Sequence, residues 1–272
     1  MKFYYIPDSE LKRIRESEKS LCNPYLFARI AANVARFNAL YSVRRLSTCE
    51  NLDLCDSAID IKAWLYSQIL TNPNEYIYGE ICDTFFYSGF YYTPLFCALE
   101  EFFGYENHFV PNPGSLVVVF TKAREIAQSY QAKKIVGRIY IVIEKERFQG
   151  KEFWGLVQQI AEENLSEVTV IVDNNQGQFD DLAWQFHRCG WEAAECDGHN
   201  FKAIDNALRD LRNMNSKQKP QVLIAYTKNS GFENYKESAN KIFSRLNSLV
   251  HLAGLSKVTI KSTNSCNNLK LI

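Results

Sequence analysis

Several polar clusters in this chain follow directly on short apolar runs, where a fold can turn side chains toward a ligand. Val168 to Val172 runs into Asp173-Asn174-Asn175-Gln176-Gly177, and Val222 to Tyr226 into Thr227-Lys228-Asn229-Ser230-Gly231. Ile139 to Ile143 is followed by Glu144-Lys145-Glu146-Arg147, and Trp191 to Cys196 by Asp197-Gly198-His199-Asn200. In open α/β sheets, ligands bind beyond the carboxyl ends of the strands, so these are the places where chemistry is expected. Lys145 could give a phosphate a point charge. The simpler reading is a solvated loop whose charges pair with one another. His199 has an acid–base side chain, but Asp197 and Asn200 beside it offer ordinary capping chemistry, so a structural role is preferred. Phe85, Phe86, Tyr87, Phe90, Tyr91 and Tyr92 could stack a ring ligand; aromatics in such a run more often fill space or an interface. His108, His187 and His251 have no partners at metal-ligand spacing.

The elements that must position these groups can be read from periodicity. Asn23-Pro24 supplies a cap and a proline at the first helical position, and Leu26, Ile30, Val34, Phe37 and Tyr41 follow at helical spacing. Asp56 can cap a second helix with Ile59, Ala63, Tyr66 and Leu70 on its apolar face, and Thr93-Pro94 opens a third that Gly104 stops. From Gly114 onward the pattern alternates. A helix from about Ser115 to Gln131 leads to the strand Ile139–Ile143, a helix through Trp154, Val157 and Ile160, and the strand Val168–Val172. A short helix around Leu182 to Cys189, a weaker strand near Trp191 to Cys196, a helix after Asn200, the strand Val222–Tyr226 and a helix from Glu233 to about Leu252 complete the set. Short β-rich runs separated by longer helices predict an α/β fold, a mostly parallel sheet with helices on both faces. A single domain over 1–272 is expected, with a helical extension at 1–46 and a flexible tail at 254–272.

Composition narrows the function classes. With 31 Lys and Arg against 31 Asp and Glu, no global field exists to hold nucleic acid or an anionic membrane. Hydrophobic residues at 46% and aromatics at 14% exclude a disordered chain. No apolar stretch approaches the ~20 residues of a membrane span. Asp8, Glu10, Lys12 and Arg13 interrupt any signal-peptide core, and a cytoplasmic protein is expected. Cysteines 22, 49, 55, 82, 97, 189, 196 and 266 are scattered without zinc-type pairing and read as free buried thiols.

Taken in order, Asp173 to Gly177, then Gly190-Trp191 through Asp197-Gly198-His199-Asn200-Phe201 to Ile204, then Thr227-Lys228-Asn229-Ser230-Gly231, resemble the N-terminal, diphosphate-binding half of transketolase. The family shows I-V-D-N-N, then G-W followed by D-G-H-D-F, then T-x-K-G-x-G. Asp60-Ile61 to Tyr66, Gly89 to Leu99, Gly114-Ser115-Leu116 and Trp154 extend the likeness over Ser47 to Phe232. The resemblance implies the thiamine diphosphate-binding fold. It also implies a chain that ends where a separate transketolase N-terminal subunit would end.

The same comparison implies a damaged cofactor site. In the family, Mg²⁺ or Ca²⁺ bridges the diphosphate of thiamine diphosphate and is held by the Asp of G-D-G, a later Asn and a carbonyl. Here the G-D-G positions are Glu144, Lys145 and Glu146, and an ammonium cannot ligate a dication. Asn175 and the carbonyl of Gly177 remain as the residues that could hold a metal. The family's G-S-L-G-Q-G becomes Gly114-Ser115-Leu116-Val117-Val118-Val119, and its two G-H pairs become Glu50-Asn51 and Gly89-Phe90. The stretch from Asn175 to Gly190 is also short for the family, which removes one wall of the cleft. The degenerate cofactor positions are therefore Gly114, Ser115, Leu116, Lys145, Asp173, Asn175 and Gly177, with no catalytic residue assigned. The expectation is a half-subunit that binds no cofactor and serves as a structural or regulatory partner, as a homo-oligomer or beside a pyrimidine-domain chain. The alternative is a thiamine diphosphate- and Mg-dependent transketolase-type transferase subunit completed by such a chain.

Overall fold

The computed structural model describes residues 3–21, 23–46, 57–70, 83–88, 94–104, 115–144, 148, 150–177, 179–213, 218–228 and 235–263. In chain order the elements are β1 (Phe3–Tyr5), α1 (Asp8–Glu16), α2 (Pro24–Leu46), α3 (Ile59–Trp64), β2 (Thr84–Ser88), α4 (Pro94–Phe103), α5 (Leu116–Lys133), β3 (Ile139–Glu144), α6 (Lys151–Glu162), β4 (Val168–Asn175), α7 (Leu182–Arg188), β5 (Glu192–Asp197), α8 (Phe201–Asn213), β6 (Gln221–Thr227), α9 (Tyr235–Leu252) and β7 (Lys261–Thr263). They fall into two compact units. One comprises Met1–Gln68, Tyr92–Glu106 and Asn229–Ile272, the other Ile69–Tyr91 and Asn107–Lys228.

The first unit is built on α2. Asn23 Oδ1 accepts the Leu26 N–H at 3.2 Å, so the predicted cap forms and Pro24 opens the helix. Phe27, Ala28, Ile30, Ala31, Val34 and Ala35 are fully buried, the apolar face expected of an amphipathic core helix. Arg36 reaches Asp60 of α3 through two bonds of 3.0 Å, a buried bidentate pair. Helix α3 runs on as one π-helical turn, Leu65–Ile69. Gly104, at φ +77°, ends α4 as its position predicts. Two elements were not anticipated: α1, and the antiparallel pairing of β1 with β7, which places Lys261–Thr263 of the expected tail opposite Phe3–Tyr5. Asp56 and Thr93, the expected caps of α3 and α4, lie outside the described residues.

The second unit carries a five-stranded sheet in the order β2-β3-β4-β6-β5, parallel throughout. Ile139, Ile141, Val170, Val172 and Ile224 share a core with Phe120 of α5, Val157 of α6 and Phe186 of α7. The opposite face carries Tyr140, whose hydroxyl accepts a bond from Arg212 of α8 at 2.8 Å. Helices thus flank both faces, as the sequence pattern requires. Trp191 is fully buried just before β5 and donates its indole N–H to the Val157 carbonyl at 2.8 Å. Strand β2 falls within the aromatic run 85–92. Its Phe86 joins the core and its Tyr87 is buried, so these two rings fill space, while Phe85 is half-buried. Of the cysteine side chains, those of Cys189 and Cys196 are described; both are free and partly buried, and burial pushes the Cys196 thiol up to about 12.

Candidate functional site at the carboxyl ends of the sheet

Strand β4 stays buried to its last residue: Asp173, Asn174 and Asn175 are 1%, 0% and 3% exposed. In register, Glu144 stands beside Asp173, and Asn175 beside Thr227. The Thr227 hydroxyl donates to Asp173 Oδ1, which ties the ends of β4 and β6 together. Asn174 closes the following loop from both sides, its Oδ1 accepting the Phe179 N–H and its Nδ2 donating to the Phe179 carbonyl, each at 3.0 Å. Gln176 donates its N–H to the Thr227 carbonyl at 2.9 Å, and the chain turns through Gln176 and Gly177 with positive φ at both. This geometry fixes where Asn175 stands. Its buried Oδ1 accepts no hydrogen bond from any described residue.

The end of β5 packs against the same corner. Gly198 donates its N–H to the Tyr226 carbonyl at 2.8 Å, and a Cβ there would meet Thr227 Cγ2 at 2.5 Å and the Tyr226 carbonyl oxygen at 3.2 Å. Only glycine allows that approach. The His199 N–H donates to Asp197 Oδ1 at 2.9 Å, and the Lys228 N–H donates to His199 Nε2 at 2.9 Å. Asn200 Oδ1 accepts the N–H groups of Lys202 and Ala203, capping α8. His199 therefore straps the loop after β5 to the end of β6, its Nε2 at 2.9 Å from both the N–H and the carbonyl oxygen of Lys228. Tyr226 donates its hydroxyl to Glu195, and burial followed by that carboxylate raises its pKa.

At the start of α5, Ser115 occupies the N-cap position and its carbonyl accepts the Val118 and Val119 N–H groups. Leu116 and Val119 are buried in the core, whereas Val118 is 38% exposed. Glu50, Asn51, Gly89, Phe90, Gly114, Lys145 and Glu146 lie outside the described residues. The structure therefore brings Asp173, Asn175 and Gly177 together at one strand end. Sequence reasoning did not anticipate the roles of Asn174 and Thr227; their position just beyond apolar strands was the available signal.

As a metal site this donor set is poor. Asn175 Oδ1 and the Gly177 carbonyl are neutral, the Asp173 carboxylate is engaged by Thr227, and the sequence places an ammonium at 145. Hard dications take several oxygen ligands, carboxylates foremost. Among the described residues no group of three His, Cys, Asp or Glu stands close enough to hold a metal. Among the described residues, Asn175 Oδ1 and the Gly177 carbonyl alone do not make a dication site.

Comparison with solved structures decides the fold. Transketolase from Campylobacter jejuni superposes with a TM-score of 0.59 over 85% of this chain. The fold is transketolase-like. Identity to that structure is 18%; the Leishmania mexicana transketolase matches at TM-score 0.55 and 14% identity over 85% of this chain, and a Pichia stipitis transketolase mutant at 0.61 and 12% over 86%. This chain covers 43%, 42% and 41% of those three chains, less than half of each. No protein-family model and no curated sequence matches. Among the described residues no helix is long and apolar enough to cross a membrane.

Proposed function

We propose that this chain is a transketolase-like half-subunit without a working diphosphate and metal site, acting as a structural or regulatory partner of another chain in the cytoplasm. The observation that carries the reading is the pairing of Glu144 with Asp173 at the strand ends. Two acidic residues occupy adjacent registers where the family resemblance places a diphosphate, and Lys145 and Arg147 follow Glu144 in sequence. A diphosphate approaching this edge meets like charge. The family resemblance supports the partner: there, the cofactor lies between this domain and a pyrimidine-binding domain. That domain would come from a separate pyrimidine-domain chain, or a second copy of this chain would take the partner's place.

Titration calorimetry of the full chain with millimolar thiamine diphosphate and Mg²⁺ tests this, and no heat of binding is expected. A micromolar affinity that disappears with chelator overturns the reading. It would favour the second one, a thiamine diphosphate-dependent transferase subunit completed by a pyrimidine-domain chain. The placement of Asn175 at the end of β4 and of Gly177 in the turn that follows speaks for that second reading.

A further inference from the structure

At the other end of the sheet, the residues leading into β2, β3 and β4 surround a cavity of about 380 Å³. Asp83, Arg138 and Glu167 line it from the positions just before the three strands, Tyr140 from β3 and Arg212 from the last turn of α8. That volume lies in the range of small-molecule sites.

Both arginines are held by neutral acceptors. Arg212 Nη2 donates to the Tyr140 hydroxyl at 2.8 Å, and Arg138 Nη1 to Gln221 Oε1 at 3.4 Å. Tyr140 and Gln221 are each 1% exposed, and the Gln221 amide is fixed by donating to the Leu211 carbonyl at 2.9 Å. Both acceptors are buried, and the 2.8 Å bond to Tyr140 holds the Arg212 guanidinium more closely than the 3.4 Å bond holds that of Arg138. Among the described residues neither guanidinium forms an ion pair. The two carboxylates on the wall have hydrogen bonds elsewhere: Asp83 Oδ1 accepts the Arg138 main-chain N–H at 2.8 Å, and Glu167 Oε2 accepts from Gln131 at 3.2 Å. A guanidinium has five donor hydrogens in a fork that matches an oxyanion, and a single bond to a neutral oxygen leaves most of that capacity unspent. Against this stand the negative charges of Asp83 and Glu167. They disfavour a highly charged anion and suit hydroxyl or amino groups on the rest of a ligand.

We propose that this cavity binds a small molecule bearing one oxyanion group, phosphate or carboxylate, between Arg138 and Arg212, with hydroxyl or amino groups toward Asp83 and Glu167. The site is independent of the reading given above, because it lies at the opposite end of the strands and needs neither metal nor thiamine diphosphate. The test is a ¹H–¹⁵N NMR titration of the full chain with inorganic phosphate and, separately, acetate, against chloride at matched ionic strength. Saturable shifts of the Arg138 and Arg212 side-chain N–H signals are expected, with affinity falling at least tenfold in Arg138→Gln and in Arg212→Gln. Arg138→Lys and Arg212→Lys, which keep the charge but lose the fork, should also bind more weakly and guard against loss of fold. Tighter phosphate assigns a phosphoryl group, and tighter acetate a carboxylate. No saturable shift with either ion, the same response to chloride, or binding unchanged by all four substitutions overturns the proposal.

Discussion

Burial holds the Glu100 carboxyl of α4 at a pKa of about 7, against the Tyr66 hydroxyl that donates to it at 3.2 Å and the charge of Lys62, both of which pull it down. The unfolded chain releases this proton near the ordinary value of 4.5, so between that pH and 7 the native state binds the extra proton. The contribution to stability is complete below 4.5 and is lost as the pH rises through 7. Glu100→Gln keeps an acceptor for Tyr66 and cannot ionise. Urea unfolding should therefore show it more stable than the native sequence at pH 8, with the difference closing near pH 4.5; an equal difference at both values would remove burial of the charge as the cause.

The degenerate cofactor positions lie on separate elements, the end of β3, the end of β4 and the start of α5, so repair of one should not restore the rest. Glu144→Gly, Lys145→Asp and Glu146→Gly together would restore the G-D-G sequence of the family at the end of β3. We expect no thiamine diphosphate binding by calorimetry, since α5 still opens on Val117, Val118 and Val119 instead of a glycine-rich turn. Val119 is also fully buried in the core. Glycine there would cost about 1 kcal/mol in helix propensity and roughly 1.5–3 kcal/mol in lost burial. Cofactor binding by the triple mutant would show the metal motif to be the single lesion. The strands of the sheet interior and their helices were legible because Ile139–Ile143, Val168–Val172 and Val222–Tyr226 are continuous apolar runs, the pattern of strands buried on both faces. Edge strand β2 was hidden by its aromatics, and the β1–β7 pairing joins residues too far apart in sequence for any local signal. The strand-end cluster was legible for the same reason as the strands. The cavity at the opposite strand ends was not: Asp83, Arg138, Glu167 and Arg212 meet through the order of the strands, and none carries a motif.

For the whole molecule, the question is what covers the edge of the sheet. Thr84-Phe85-Phe86-Tyr87-Ser88 has no charge, no proline and no lysine, the devices by which proteins guard an open strand edge, and among the described residues β2 is hydrogen-bonded to a strand on one side only. Phe86 and Tyr87 are buried in the protein's own interior and Phe85 is half-buried, so the main-chain edge of β2 is, among the described residues, the part without a paired strand. The balance of 31 positive and 31 negative side chains puts no net repulsion between two copies. Together with the proposed role as a partner subunit, this predicts a homodimer or a stable complex with a second chain. Light scattering at tens of micromolar should give a mass of about twice 31.4 kDa, or that of a mixed complex if another chain co-purifies. Lysine in place of Phe85 should lower the assembled fraction if β2 is the contact. A monodisperse species at 31.4 kDa with nothing co-purifying would leave the partner role without support, and an assembly unaffected by Phe85→Lys would place the contact elsewhere on the surface.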